Sequence, residues 1–224
     1  MAKQENDLGR DAIGTLVLRI AVPSMLAQFV SVVYSIVDRM YIGNIPMVGD
    51  VALAGVGVCG PVVTMVGSVA FLIGVGGAPL MSIKLGEKDE AGARRIMANC
   101  FLMLCVSAAA LMAGIFPFAR RMLLVFGASE ATLPYAMPYF TTYLMGTPFA
   151  LMATGLNQLI VCQGFAKAGM KSILLGAVMN IVLDPVFIFT LGMGVRGGAL
   201  ATVLSQMASC AYACLLYTSP SPRD

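Results

Sequence analysis

Asn180, Asp184 and Pro185 stand in the middle of an apolar stretch, NIVLDPVFIFTLGMGVRGGALATVLSQ, residues 180–206. The amide and the carboxylate are four residues apart, so on a helix they share a face and their oxygens converge. Pro185 has no backbone N–H, which leaves the Ile181 carbonyl without its helical partner. Three oxygen sources thus fall within about one turn of each other. Beyond a glycine-rich turn (Gly192, Gly194, Gly197, Gly198), Thr202 offers a hydroxyl that would complete an oxygen cage. Ionisable side chains inside a membrane span are costly, face the bundle interior and mark functional sites. Asp38, in YSIVDRMYIGN, is a second carboxylate near the end of an apolar run. It either joins such a site or sits at the membrane edge, solvated or paired with Arg39.

These groups need apolar helices to hold them. Of 224 residues, 59% are hydrophobic and 11% charged, with a mean hydropathy of +0.88; a soluble domain carries about 25% charged residues. The composition implies an all-α polytopic membrane protein embedded in a lipid bilayer. Six runs are long enough to span, at about 20 residues each as helix. They lie near 13–41, 51–83, 96–118, 133–161, 172–191 and 197–213. Helices are required because open strands would leave backbone groups unpaired in lipid. Residues 1–12 read as a polar tail, and the first apolar run as a retained span, since no small-residue cleavage site follows a short apolar core. The net charge of +3 is spread over loops and implies no nucleic-acid partner. Histidine is absent from the sequence, which removes the usual proton shuttle and commonest metal ligand. The six cysteines lie mostly in apolar runs without a C-x-x-C pair and read as small buried hydrophobes.

Loop charges set an orientation. Lys3, Arg10, Arg19, Lys84, Lys88, Arg94, Arg95, Lys167 and Lys171 gather on one side; Arg39, Arg120, Arg121 and Arg196 on the other. The richer side, with the N-terminus, is expected to be cytoplasmic. Pro23 should bend the first span, roughly 22 Å of helix from Asp38. Gly60, Gly67 and Gly74, at seven-residue intervals, suggest a packing seam along span two. KLGEKDEAGARR reads as a solvated helical turn, with acids first, bases last and Glu90–Arg94 an i,i+4 pair. IFPFARRMLLVFGASEATLPYAM reads as an external connector with a short amphipathic piece. Asn157, Gln158 and Gln163 of span four either bond across helices or line a watery cavity. Gln28 and Tyr34 of span one are further candidates for cavity lining. CLLYTSPSPRD, residues 214–224, abandons the apolar pattern in mid-span and reads like a translated sequencing adapter, so natural sequence is expected to end near Ala213.

Several segments, in this order, resemble the multidrug and toxic compound extrusion (MATE) transporters and, within them, the MepA-like bacterial branch. They are IAVPSMLAQ and YSIVDRMYIGNIP, then KLGEKDEAGARR, CQGFAKAGMKS, MNIVLDPVFIF and GVRGGALATVLSQ. The resemblance covers essentially residues 1–213. It implies a six-helix bundle equivalent to the N-terminal lobe of a twelve-helix transporter, with the C-terminal lobe missing. It implies export of amphipathic, often cationic compounds from bacteria across the inner membrane, driven by a proton or sodium gradient. It implies no cofactor beyond that ion and no metal beyond Na+, and it makes the protein a transporter, not an enzyme. The family's cation site falls on Asp38, Asn180, Asp184 and Thr202, and its helix-bending proline on Pro23, with Pro185 a second break. The bottom-up reading is compatible: paired carboxylates can carry a proton, and Asp, Asn and Thr oxygens suit a hard cation. Three alternatives stand beside it. An intramembrane aspartyl protease would resemble its class in a G-x-G-D segment, but Ile181-Val182-Leu183 precede Asp184. A lipid-linked oligosaccharide flippase would place cations in the cavity, but mid-span Lys and Arg are almost absent. In a purely structural scaffold, the Asn180–Asp184 pair would be costly without purpose.

Overall fold

The computed structural model describes residues 13–218. The tail assigned to residues 1–12, and residues 219–224 of the terminal segment, lie outside the described residues. The chain forms α1 (Ile13–Gly43), α2 (Gly49–Gly86), α3 (Glu90–Ile115), α4 (Ala119–Val125), α5 (Leu133–Cys162), α6 (Ala166–Pro185) and α7 (Val195–Thr218). A 3₁₀ turn, Phe116–Phe118, joins α3 to α4, and a π-helical turn, Val186–Thr190, continues α6. Six of these segments are long and apolar enough to cross a membrane, and no strand occurs among the described residues. The expected spans are all present, but several helices run further than hydropathy suggests. α3 begins at Glu90 rather than residue 96, and α6 at Ala166 rather than 172. Hydropathy ends at the first charges, whereas helical hydrogen bonding continues into the headgroup region.

The helices alternate up and down, and α5 is the most enclosed. It packs against α2 on one side and α7 on the other, while α1 rests chiefly on α6. Phe140, Leu144, Leu151, Leu156 and Leu159 of α5 are fully buried with Val62 and Val66 of α2, Leu104 of α3 and Leu123 of α4. Among these spans α1 is the least enclosed, with Leu26, Phe29 and Val33 exposed along it.

The glycine seam of α2 is not where the seven-residue spacing placed it. Gly60 and Gly67 face open space, and only Gly74 meets α5, where an added Cβ would lie 3.0 Å from the Gly155 carbonyl. The buried stripe instead follows Gly55, Cys59, Val62, Val66, Ala70 and Gly77. A straight helix drifts about 20° per heptad, so the three glycines approach that stripe obliquely and reach α5 only at Gly74.

Of KLGEKDEAGARR, only Glu87 to Asp89 lies between helices; the rest ends α2 or begins α3. α2 ends at Gly86, and Asp89 caps α3, its Oδ1 accepting the Gly92 N–H at 2.8 Å. Lys84 pairs with Glu87 at 2.7 Å and Asp89 at 3.4 Å, and Arg94 with Glu90 at 3.6 Å.

Candidate functional site

α6 carries Asn180 and Asp184 on one face, as their spacing requires, and α7 brings Thr202 alongside. The Asn180 Nδ2 donates to Asp184 Oδ1 and to Thr202 Oγ1, each at 3.3 Å. Because α1 lies on α6, Asp38 reaches the same place, and its carboxyl comes within hydrogen-bonding reach of Asp184. Asp184 is 0% exposed, Asn180 1% and Asp38 8%. Asp38 is thus inside the bundle, not solvated at the membrane edge. On its α7 side the approach is close enough that a Cβ on Gly198 would sit 3.4 Å from Asp38 Oδ1.

Three oxygens of this cluster are buried without a hydrogen-bond partner among the described residues: Asp38 Oδ1, Asp184 Oδ2 and Asn180 Oδ1. Buried acceptors are normally paired, and each orphan costs about 1–3 kcal/mol. Two facing carboxyls, an amide oxygen and a hydroxyl form a hard oxygen set suited to a proton or an alkali cation.

The backbone beyond Asp184 is irregular for a local reason. Pro185 removes one donor, the Val186 N–H turns to the Leu183 carbonyl, and the chain widens into π-type bonding, with Leu191 N–H on Val186 O at 2.8 Å. Gly192 and Gly194 then take positive φ, 63° and 57°, which favours glycine. Gly197 lets α7 start against this turn, since a Cβ there would lie 2.7 Å from the Phe187 carbonyl carbon. Tyr41 of α1 packs edge-on against Phe189 of the π turn, with centroids 6.3 Å apart. Pro23 lies within α1, which stays helical through it.

A cavity of about 310 Å³ opens beside the cluster, and Asn180 and Thr202 form part of its wall. Gln28, Tyr34, Asn157 and Gln158 line it as well; Gln163 does not, because it ends α5 and bonds back to the Leu159 carbonyl at 2.9 Å. Asn157 both lines the cavity and bridges helices, its Nδ2 donating to the Gly169 carbonyl at 2.9 Å. Sequence reasoning missed Ser172, Ser205, Gln206 and Ser209, which also line it. Ser172 and Ser209 clamp α6 to α7 reciprocally, each hydroxyl donating to the other's carbonyl, at 3.2 and 2.9 Å. A signal was available: Thr202, Ser205, Gln206 and Ser209 fall at i, i+3, i+4 and i+7, a polar stripe on an apolar helix.

The chain is similar to the FAD transporter of Shewanella oneidensis, at 24% identity over 92% of this chain and 46% of the relative. It is similar to the multidrug export protein MepA of Staphylococcus haemolyticus, at 28% identity over 84% of this chain and 41% of the relative. Among solved structures, a MATE crystal structure in the bent conformation superposes with a TM-score of 0.84 at 25% identity, covering 91% of this chain and 45% of that one. The chain therefore spans about half the length of the relatives it matches. The described bundle corresponds to the N-terminal lobe of such a transporter. The MatE family model matches residues 23–186, which include Asp38, Asn180 and Asp184. On that match, the chain belongs to the MatE family.

Proposed function

We propose that this chain is the ion-coupling lobe of an exporter of amphipathic, often cationic compounds, working as a proton or sodium antiporter. The observation that carries the reading is the buried cluster of Asp38, Asn180, Asp184 and Thr202 with its three unpartnered oxygens. A proton or sodium ion there offsets one of the two facing carboxylate charges and gives those oxygens a partner. Asn180 and Thr202 belong both to this cluster and to the cavity wall, so ion loading changes the surface a substrate meets. α1 carries Asp38 toward the cluster and touches α2 little, so it is the element freest to shift when the ion leaves. An ion biases such a shift only by its differential affinity for the two states.

Export as the direction follows the naming of the MepA relatives as multidrug export proteins. The FAD transporter relative widens the substrate range to flavin nucleotides. Among the described residues no Lys or Arg lines the cavity, which disfavours the flippase reading. The reading includes a second six-helix lobe completing the cavity, a bacterial cytoplasmic membrane, and an N-terminus on the cytoplasmic side; no catalytic step is assigned. The test is efflux of a fluorescent amphiphile in the two-lobe transporter. Asp184→Asn should abolish gradient-driven efflux, and wild-type rates in that variant would sink the reading.

A further inference from the structure

Each carboxylate of the cluster is followed four residues on by an isoleucine: Asp38 by Ile42 on α1, and Asp184 by Ile188 in the π turn. Both isoleucines are buried, at 0% and 3% exposure. They stand about one turn beyond the carboxyls, toward the end of the bundle where α1 stops. Their chain neighbours Tyr41 and Phe189 meet edge-on and tie the same two elements together.

The third wall is α7, at the buried Gly198. A Cβ there would sit 3.4 Å from Asp38 Oδ1, 3.4 Å from Ile42 Cδ1 and 3.5 Å from Ile188 Cδ1. One point on α7 thus touches an unpartnered carboxylate oxygen and the terminal methyls of both isoleucines. These are ordinary contact distances, so the glycine leaves a gap the size of a methyl group. On its other side the cluster meets the cavity through Asn180 and Thr202. It therefore lies between a polar cavity and a hydrocarbon constriction. Such constrictions gate ions by excluding water, and in a close-packed interior single methyl groups decide their width. The least regular wall is the π turn, with Pro185 before it and the positive-φ Gly192 and Gly194 after it; π segments recur at functional sites.

We propose that Ile42, Ile188 and the bare face of Gly198 form an external gate for the coupling ion, which reaches the Asp38–Asp184 cluster from the end of the bundle and not through the cavity. This rests on the ion-coupling reading and its orientation. The gate opens when the π turn swings Ile188 away from Ile42, and the Tyr41–Phe189 contact holds it shut. With the gate removed, outer water, cluster and cavity form one path, and the ion leaks without substrate.

The test uses the two-lobe transporter in liposomes, with radioactive sodium and a trapped pH dye as the two probes. The coupling ion is the one whose amphiphile-driven flux Asp184→Asn removes. Ile42→Val with Ile188→Val deletes only the two Cδ1 methyls. Two buried methyl groups are worth about tenfold in rate, so this double variant should leak the coupling ion, without amphiphile, about tenfold faster than wild type. Gly198→Ala adds one methyl to the gap and should slow amphiphile-driven ion flux about threefold. None of the three residues lines the cavity, so gradient-free binding of the fluorescent amphiphile should be unchanged, which also shows that the variants fold. A double variant as tight as wild type, Gly198→Ala with wild-type flux, or slower flux in both overturns the gate. If neither flux depends on Asp184, the ion-coupling reading fails and the gate falls with it; if the dependence holds but the opposite effects do not appear, only the gate fails.

Discussion

Asn180 spends its amide on two acceptors at once, and that fixes which way its carbonyl oxygen points. With Nδ2 held by Asp184 and Thr202, Oδ1 is left over, unpartnered and buried. In the proposed site Thr202 holds Asn180 in register besides offering its own oxygen. Thr202→Val keeps the shape and removes the acceptor; a lost buried hydrogen bond costs about 1–3 kcal/mol. The ion concentration that half-saturates efflux should rise about tenfold or more in Thr202→Val, with the maximal rate retained, and return toward wild type in Thr202→Ser. An unchanged half-saturation in the valine variant would remove Thr202 from the cluster. Much of this was legible in the sequence, because a four-residue spacing on a helix places Asn180 and Asp184 together whatever else happens. The arrival of Asp38 was legible only through the family resemblance, since it depends on α1 choosing α6 as its neighbour across three intervening spans. The unpartnered Oε1 of Gln206 was hidden for a different reason: a single polar residue in an apolar run carries little signal until its stripe is drawn.

At the scale of elements, the ends of the helices were the least legible part. Hydropathy finds spans but is blind to capping: the connector between α2 and α3 read as a solvated helical turn leading into the third span, and that turn is the start of α3 itself, capped by Asp89. The Gly92 N–H, first, and the nearby Lys84 ammonium hold the Asp89 carboxyl below its ordinary value of 3.8. The lowered folded value fixes the sign. The cap's contribution is intact above the ordinary carboxylate value and is lost as pH falls through the folded one. As pH falls below the ordinary carboxylate value, the thermal midpoint should therefore drop by more in the wild type than in Asp89→Asn, which caps without titrating. Parallel curves for the two proteins would show that the cap adds nothing there. The π turn after Pro185 was half-legible: proline announced the break, but the wider bonding that follows depends on Gly197 admitting the Phe187 backbone.

For the molecule as a whole, the distribution of cations was the plainest message in the sequence, and the fold gives it a geometry. The α2–α3 and α5–α6 connections share one end, where the Ser82 hydroxyl donates to the Cys162 carbonyl at 3.5 Å. The α4 basic pair, Arg120 and Arg121, belongs to the opposite end, near the turn where Thr132 meets Gly55. In a background without native cysteines, Arg120→Cys should react with a membrane-impermeant maleimide on intact cells, and Lys88→Cys only after lysis. The reverse pattern would invert the proposed orientation. Exposed apolar surface is abundant on α1, with Leu26 and Phe29, and on α3, with Leu102, Met103 and Val106, so solubility in detergent will depend on covering both.

The pairing of α1 with α6 also governs how the chain can be made. Asp38 leaves the ribosome long before Asp184: 184 − 38 = 146 residues separate them, or about 7–30 s of synthesis at 5–20 residues per second. Through that interval the first helix waits with a carboxyl destined for burial and no partner yet translated. Its place near one end of α1, five residues short of Gly43, lets the group rest at the interface meanwhile. The Asp38–Asp184 cluster is thus among the last features of the lobe to close, and its closure joins the first helix to the bundle.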